Sequence, residues 1–256
     1  MLTQLSVVEI AETIVGADRA FVERVRALDD ACRGRGIFLT FQTDMRLFRE
    51  VFLHLNDPRA HLSPLLDASI ADLGEARWIL GKNEAGEVVA TQAFRFYPDD
   101  GSTSYDRWLS LRMFYDRPEQ DAPPDESCAL TGDAADVNRH LRCWLASGGT
   151  WVHADHRGPD LDGIHLSELL PRLSRTLGIR MYGTAQATTS GIRPKLATAG
   201  VAERYGYKKI APLLVHTREQ KSADFLFLWM PRDEMESDAR DFHARLTAGR
   251  AVRAAG

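Results

Sequence analysis

The stretch Trp151-Val152-His153-Ala154-Asp155-His156-Arg157-Gly158-Pro159-Asp160-Leu161-Asp162-Gly163 decides how this chain is read. Two apolar residues run into a series of turn formers. A helical pattern with Leu166, Leu169, Leu170, Leu173 and Leu177 follows. The spacing predicts a strand, a tight turn and a helix. A turn that enters a helix leaves several backbone N–H groups without partners, which suits a phosphate. Asp160 and Asp162 stand in the same turn and oppose an anion. Two readings are open. In one, the amides from Arg157 through Gly163 hold a pyrophosphate and Arg157 adds charge. In the other, Asp160 or Asp162 caps the helix by taking the same N–H groups. A carboxylate ~4 Å from a phosphate charge costs about 1 kcal/mol in water and about 4 kcal/mol at a surface-like dielectric.

Downstream of this stretch, residues 179–183 read as a strand and residues 192–199 as a short helix stopped by Gly200. Residues 209–216 and 224–230 read as two strands, and residues 235–246 as a closing helix. Upstream, residues 18–32 form an amphipathic pattern through Phe21, Val22, Val25 and Leu28, ended by Gly34 and Gly36. Residues 37–41 are a short β-type run. Residues 45–55 return to helical spacing before Pro58, and residues 61–73 suggest another short helix. The clearest hairpin joins residues 77–81 to residues 87–97 through the polar, Gly-containing segment 82–86. Residues 108–115 read as a strand and residues 134–146 as a helix. The acidic, proline-rich segment 116–126 between them reads as an exposed loop.

This order of elements resembles that of the GNAT acyltransferase superfamily. In that family a helix pair precedes an antiparallel hairpin. A central strand then feeds a turn of the form R/Q-x-x-G-x-G/A and a long helix. Another strand, a short helix and a Gly-Phe or Gly-Tyr lead into the last two strands. Here residues 77–97 stand where the hairpin belongs, and Trp151 and Val152 stand in the central strand. Arg157-Gly158 begins the acyl-CoA turn. Tyr205-Gly206-Tyr207-Lys208-Lys209 leads from the short helix to the sixth strand. The match in element order spans residues 18–230, and the motifs lie within residues 151–209. The chain departs from the pattern at Asp160 and Asp162, where glycines are usual. Its segment between Tyr97 and Trp151 is longer. Ala202 replaces the tyrosine that often stands four residues before the late glycine.

The resemblance implies an α/β fold with a GNAT-type mixed, mostly antiparallel central sheet and helices on both faces. It implies one domain over residues 1–256, with an insertion at 98–150 that holds the acidic loop and a C-terminal helical extension at 231–256. It also implies an N-acyltransferase that moves an acetyl or other acyl group from acetyl-CoA or another acyl-CoA to an amine of a small molecule or peptide. Three alternatives stand beside it. The two aspartates and the missing tyrosine favour a catalytically silent module that binds a ligand or partner. A donor on an acyl-carrier protein, which lacks the nucleotide pyrophosphate, suffers less from those aspartates. The element order could also coincide with that of another α/β enzyme.

Attack of an amine on a thioester needs a base, an acid for the leaving thiolate and a backbone N–H for the developing oxyanion. His153 and Asp155 close the central strand, and imidazole is suited to proton transfer near neutrality. A half-buried strand histidine and a turn-forming aspartate are their ordinary readings. Tyr205 and Tyr207 could donate to a thiolate, and packing suits Tyr207 better. The catalytic candidates are therefore His153, Asp155 and Tyr205. The cofactor-binding candidates are Trp151, Val152, His153, Arg157, Gly158, Asp160, Leu161, Asp162 and Gly163. Arg193 and Lys195 join them for an adenine-side phosphate, although the solvated face of a short helix is the more ordinary account of both. His153, His156 and His165 lie near the turn, but no H-x-x-x-H or H-x-H pair is present, so no metal is expected.

Composition sets the remaining limits. The 256 residues are 44% hydrophobic and 27% charged, enough for a substantial core. A net charge of -4 gives no basic surface to attract nucleic acid. Three separated cysteines without a C-x-x-C spacing point to reduced thiols and a cytoplasmic protein. The first residues show no secretory pattern, and no apolar run reaches the ~20 residues that span a bilayer, so no membrane is expected. A homodimer stays open.

Overall fold

The computed structural model describes residues 5–158, 163–216 and 223–254. Ten helices and eight strands occur among them. The first elements are α1 (Val7–Thr13), α2 (Arg19–Arg33), β1 (Phe38–Gln42), α3 (Met45–His54), β2 (Ala76–Lys82) and β3 (Val88–Tyr97). Next come α4 (Ser104–Leu109), α5 (Pro118–Asp121), β4 (Ser127–Leu130) and α6 (Gly132–His140). Then follow β5 (Trp144–Val152), α7 (Leu166–Met181), β6 (Ala187–Ile192), α8 (Pro194–Thr198) and α9 (Val201–Arg204). The last are β7 (Lys209–His216), β8 (Ala223–Pro231) and α10 (Arg232–Ala254).

Local chemistry explains the early helices. The Asp18 carboxylate accepts from the Phe21 N–H, and α2 then buries Phe21, Val25, Leu28 and Cys32 on one face. Asp44 does the same for α3 by accepting from the N–H groups of Arg46 and Leu47, and that helix buries Met45, Phe48 and Phe52. The expected hairpin is β2–β3, paired from Ala76 with Arg95 to Lys82 with Val88.

All eight strands form one sheet in the order β1-β2-β3-β5-β6-β8-β7-β4. Every neighbouring pair is antiparallel except β5 and β6. This is the mixed, mostly antiparallel sheet expected, and helices cover both faces. On one face α2, α7 and α10 bury Phe21, Leu145, Val152, Leu169, Leu173 and Phe242 in a common cluster. On the other, Phe48, Leu66, Trp78 and Trp151 pack together, and Trp108, Leu130, Trp144 and Trp229 form a second cluster. Almost all of α7 is buried, because it touches the sheet on one side and α2 and α10 on the other. Among the described residues no helix is long and apolar enough to cross a membrane.

Five readings of local structure need correction. Residues 61–73 hold only a 3-10 turn at Pro64–Leu66, capped by Ser63. Asp67 then draws the chain into a further turn by accepting from the Ser69 N–H. Residues 108–115 are not a strand. Thr103 and Asp106 form a reciprocal cap that starts a helix, and the aromatics beyond it pack as Trp108 against Phe114. Within 116–126 a single helical turn, α5, begins at Pro118. The helix read at 134–146 stops at His140, and Trp144-Leu145-Ala146 open β5, with Ala146 paired to both Arg95 and Thr189. A strand buried on both faces lacks the alternation that would separate it from a helix. Residues 179–183 contain the last turn of α7, and the strand is instead the Thr-rich β6.

Candidate active site

The site is built on β5, whose residues Trp144-Leu-Ala-Ser-Gly-Gly-Thr-Trp-Val change character halfway. The first three residues pair in parallel with β6, Trp144 with Ala187, Leu145 with Thr188 and Ala146 with Thr189. Both strands then continue, to Val152 and to Ile192, without further partners between them. A wedge opens past Ala146 and Thr189. On its other edge β5 stays paired to β3 but carries a bulge, since two steps on β3 from Thr91 to Ala93 match three on β5 from Trp151 to Gly148. Gly149 occupies the bulge with φ +63°, a conformation that favours glycine. From Ser147 onward β5 therefore has no ladder partner on its β6 side.

A buried glutamine fixes the bulge. Gln92 is fully enclosed, and its amide nitrogen donates to the carbonyls of Ala93 (3.0 Å) and Gly148 (3.2 Å) and to the Ser147 hydroxyl (3.1 Å). Its oxygen accepts from the Thr150 hydroxyl. The Thr91 hydroxyl donates to the Gly149 carbonyl at 2.8 Å. Ser147, Gly148, Gly149 and Thr150 keep partial exposure while their neighbours are buried. A polar, accessible patch thus interrupts an apolar strand.

Tyr205 comes to this patch. It ends α9, packs against the cluster that holds α7, and its phenol lies near the Thr150 side chain. Burial raises its phenol above the ordinary value, so the group stays protonated. Tyr207 is buried, with its hydroxyl 3.4 Å from that of Thr188, in the packing role expected.

His153 and Asp155 stand elsewhere. They follow the end of β5 in the 3-10 turn Ala154–His156, His153 half exposed and Asp155 largely exposed. The His153 Nδ1 is 3.5 Å from Asp155 Oδ2 and accepts from the Asp155 N–H at 3.4 Å. His153 lines a cavity of about 650 Å³ with Leu47, Val51, Leu55 and Trp151, against α3. Tyr205 and His153 therefore approach β5 from opposite faces, and no described contact joins them.

The side chains of Trp151 and Val152 are buried, so only their backbone is available to a ligand. Arg157 is already engaged. Its Nε donates to the Val152 carbonyl at 2.8 Å, and its Nη2 pairs with the Asp57 carboxylate. The Trp151 Nε1–H also donates to Asp57, at 3.0 Å. The Arg59 N–H, Trp151 and Arg157 together hold Asp57 down at about 2. Asp160, Leu161 and Asp162 lie outside the described residues. On either side of them, Gly158 and Gly163 have open space where a Cβ would stand, and Gly163 has φ +73°. At the helix start beyond, His165 itself makes no side-chain cap. The His165 Nδ1 instead lies 3.0 Å from the Arg157 carbonyl, to which it donates. Arg193 and Lys195 are exposed at the start of α8.

Sequence reading missed Gln92, Ser147 and Thr150. Their signal was the run Ser147-Gly148-Gly149-Thr150 between two apolar pairs, which marks a bulged strand.

Neither a protein-family model nor a curated protein sequence matches the chain. Solved structures resemble it at a distance. An aminoglycoside N(6')acetyltransferase from Legionella pneumophila is 8% identical over 78% of this chain and 95% of its own, with a TM-score of 0.42. An uncharacterized protein from Bacillus halodurans is 9% identical over 82% and 92%, with a TM-score of 0.43. A third is an aminoglycoside acetyltransferase in complex with coenzyme A and kanamycin. It is 11% identical over 78% and 98%, with a TM-score of 0.39. None of these likenesses assigns a residue of this chain.

Proposed function

We propose that the chain is a GNAT-type N-acyltransferase that moves an acetyl or other acyl group from acyl-CoA to an amine of a small molecule or peptide. The observation that carries the reading is the short β5–β6 pairing, which ends at Ala146 and Thr189 beside the polar run Ser147–Thr150, with the protonated Tyr205 phenol near Thr150. Those N–H groups of β5 beyond Ala146 that face β6 have no ladder partner there and are donors for a carbonyl oxygen seated between the strands. Tyr205 supplies the proton that a departing thiolate needs, and its raised pKa keeps that proton in place. The described residues at the turn fit a nucleotide's phosphates: His165 gives α7 no side-chain cap, and Gly158 and Gly163 leave room for close approach. The co-substrate contributes the activated thioester.

A silent binding module is the competing reading, and it draws support from the pairing of Arg157 with Asp57 in place of a free cation at the turn. Thermal unfolding with acetyl-CoA separates the two. At 100 times Kd a ligand adds about 2.7 kcal/mol, a rise of several degrees. Tyr205→Phe is expected to keep that rise and to lower thiol release in the presence of an amine panel by about 100-fold. No shift at millimolar acetyl-CoA would sink the donor assignment, and full turnover in Tyr205→Phe would remove Tyr205 as the acid.

A further inference from the structure

Tyr205 sits in the turn Arg204-Tyr205-Gly206, between α9 and β7. Two charged groups from other elements, the buried Arg172 and the half-buried Asp238, close on that turn. Arg172 of α7 donates from Nη1 to the Arg204 carbonyl, the one immediately before Tyr205. The same guanidinium meets Asp238 of α10 twice, Nη2 donating to Oδ1 at 3.2 Å and Nε lying 3.1 Å from Oδ2. Asp238 also accepts from Arg175 Nη2 at 2.7 Å. Gly206, with φ +85°, leaves no slack: a Cβ there would stand 2.6 Å from Asp238 Oδ1 and 3.0 Å from Arg172 Nη2. Arg172 and Arg175 are almost fully buried. Further along α10, Arg245 pairs with the buried Glu168, which also faces Arg172 at 3.4 Å.

Buried ion networks of this kind contribute little net stability beyond what apolar packing would give. The same helices already share apolar contacts through Leu169, Leu173, Met235, Phe242 and Leu246. What the charged pair adds is direction, a hydrogen bond aimed at one backbone carbonyl. We propose that Arg172 and Asp238 form a clasp that fixes the turn carrying Tyr205, making the C-terminal helix α10 a working part of the site. Arg172 and Asp238 are positioning residues. Their role rests on the reading of Tyr205 as proton donor.

The test follows Tyr205 directly. Protein labelled with 13C at the tyrosine ζ carbon is titrated without substrate, and Tyr205→Phe identifies the resonance. Asp238→Asn keeps the shape and loses the charge, and Asp238→Glu restores it. In Asp238→Asn the Tyr205 hydroxyl is expected to leave its buried setting, so its pKa falls toward that of an exposed phenol. With the best amine of the panel, kcat is expected to fall about tenfold at unchanged KM for acetyl-CoA. Asp238→Glu is expected to recover both. Arg232→Gln loosens the start of the same helix, where Arg232 donates to the carbonyls of Gly183, Ala185 and Ile179, and is expected to leave the Tyr205 titration in place. An unmoved Tyr205 in Asp238→Asn, or an equal response to Arg232→Gln, overturns the clasp. Should Tyr205 respond while Tyr205→Phe retains full turnover, the clasp stands and the acid assignment fails.

Discussion

Replacing Gly149 by alanine tests the bulge on which the wedge depends. Two costs come together there. The backbone has φ +63°, which costs a residue with a Cβ about 1–2 kcal/mol. The new Cβ would also stand 2.6 Å from Phe48 Cζ and 3.3 Å from Leu66 Cδ1. The phenyl ring has little room to swing aside, because its centroid lies 5.2 Å from that of Trp78 and 4.7 Å from that of Phe52. Overpacking of this kind costs about 1–3 kcal/mol, so Gly149→Ala should lose about 2–5 kcal/mol. Phe48→Leu removes the clashing ring atom and on its own loses about 1–3 kcal/mol as a cavity. In the double variant the clash with Phe48 Cζ is gone, and the backbone cost of the Gly149→Ala change and the milder approach to Leu66 remain. The two changes should therefore couple favourably by about 1–3 kcal/mol. Urea unfolding followed by tryptophan fluorescence measures all four proteins. Strict additivity would show that the ring does not press on the bulge, and the packing argument for Gly149 would be wrong.

Two further outcomes follow from the charges and thiols. Asp57 has a folded pKa held at about 2, below its ordinary 3.8. Its contribution to stability is therefore complete above about pH 4 and disappears as pH falls through about 2. Carboxyl NMR should show Asp57 titrating last among neighbouring aspartates, and a midpoint near 4 would contradict the Arg59, Trp151 and Arg157 contacts. All three cysteines are buried, and burial pushes the Cys32 and Cys128 thiols up to about 12. A disulfide reagent at pH 8 should find no reactive thiol in the native protein and three after unfolding in guanidinium; rapid labelling of the native state would contradict that burial.

Much of the architecture was legible because periodicity agreed with tertiary packing. The apolar spacing of Phe21, Val25 and Leu28 and that of residues 45–55 announced α2 and α3, and the polar, Gly-containing turn at 82–86 announced the β2–β3 hairpin. Misreadings gathered where burial hides the pattern. Trp144-Leu145-Ala146 looks helical because both faces of β5 are covered there. The middle of β6, Thr188-Thr189-Ser190, looks like a loop because its polar side chains find partners such as the Tyr207 hydroxyl. The segment from Trp108 to Tyr115 is aromatic enough for a strand, yet the Thr103 cap commits its start to a helix. At the site, Tyr205 could be named from its place before a glycine. The threonine it meets could not, since that contact joins residues far apart in the chain.

The knot of Arg157, Asp57 and Trp151 changes how an anion could be held at the turn. A free arginine would offer a whole positive charge to a phosphate. Here Asp57 faces that charge, and the guanidinium also anchors the end of β5 through the Val152 carbonyl. The attraction left at the turn comes from amides at the start of α7, where a helix dipole is equivalent to roughly half a charge. Directed amides hold an anion by geometry more than by long-range field. Phosphate affinity at this turn should then weaken only modestly as salt rises from about 50 to about 300 mM, a range over which the Debye length shrinks to well under ~10 Å. The exposed Arg193 and Lys195 on α8 carry full charges, and a steep salt dependence of CoA binding would place the phosphates against them instead.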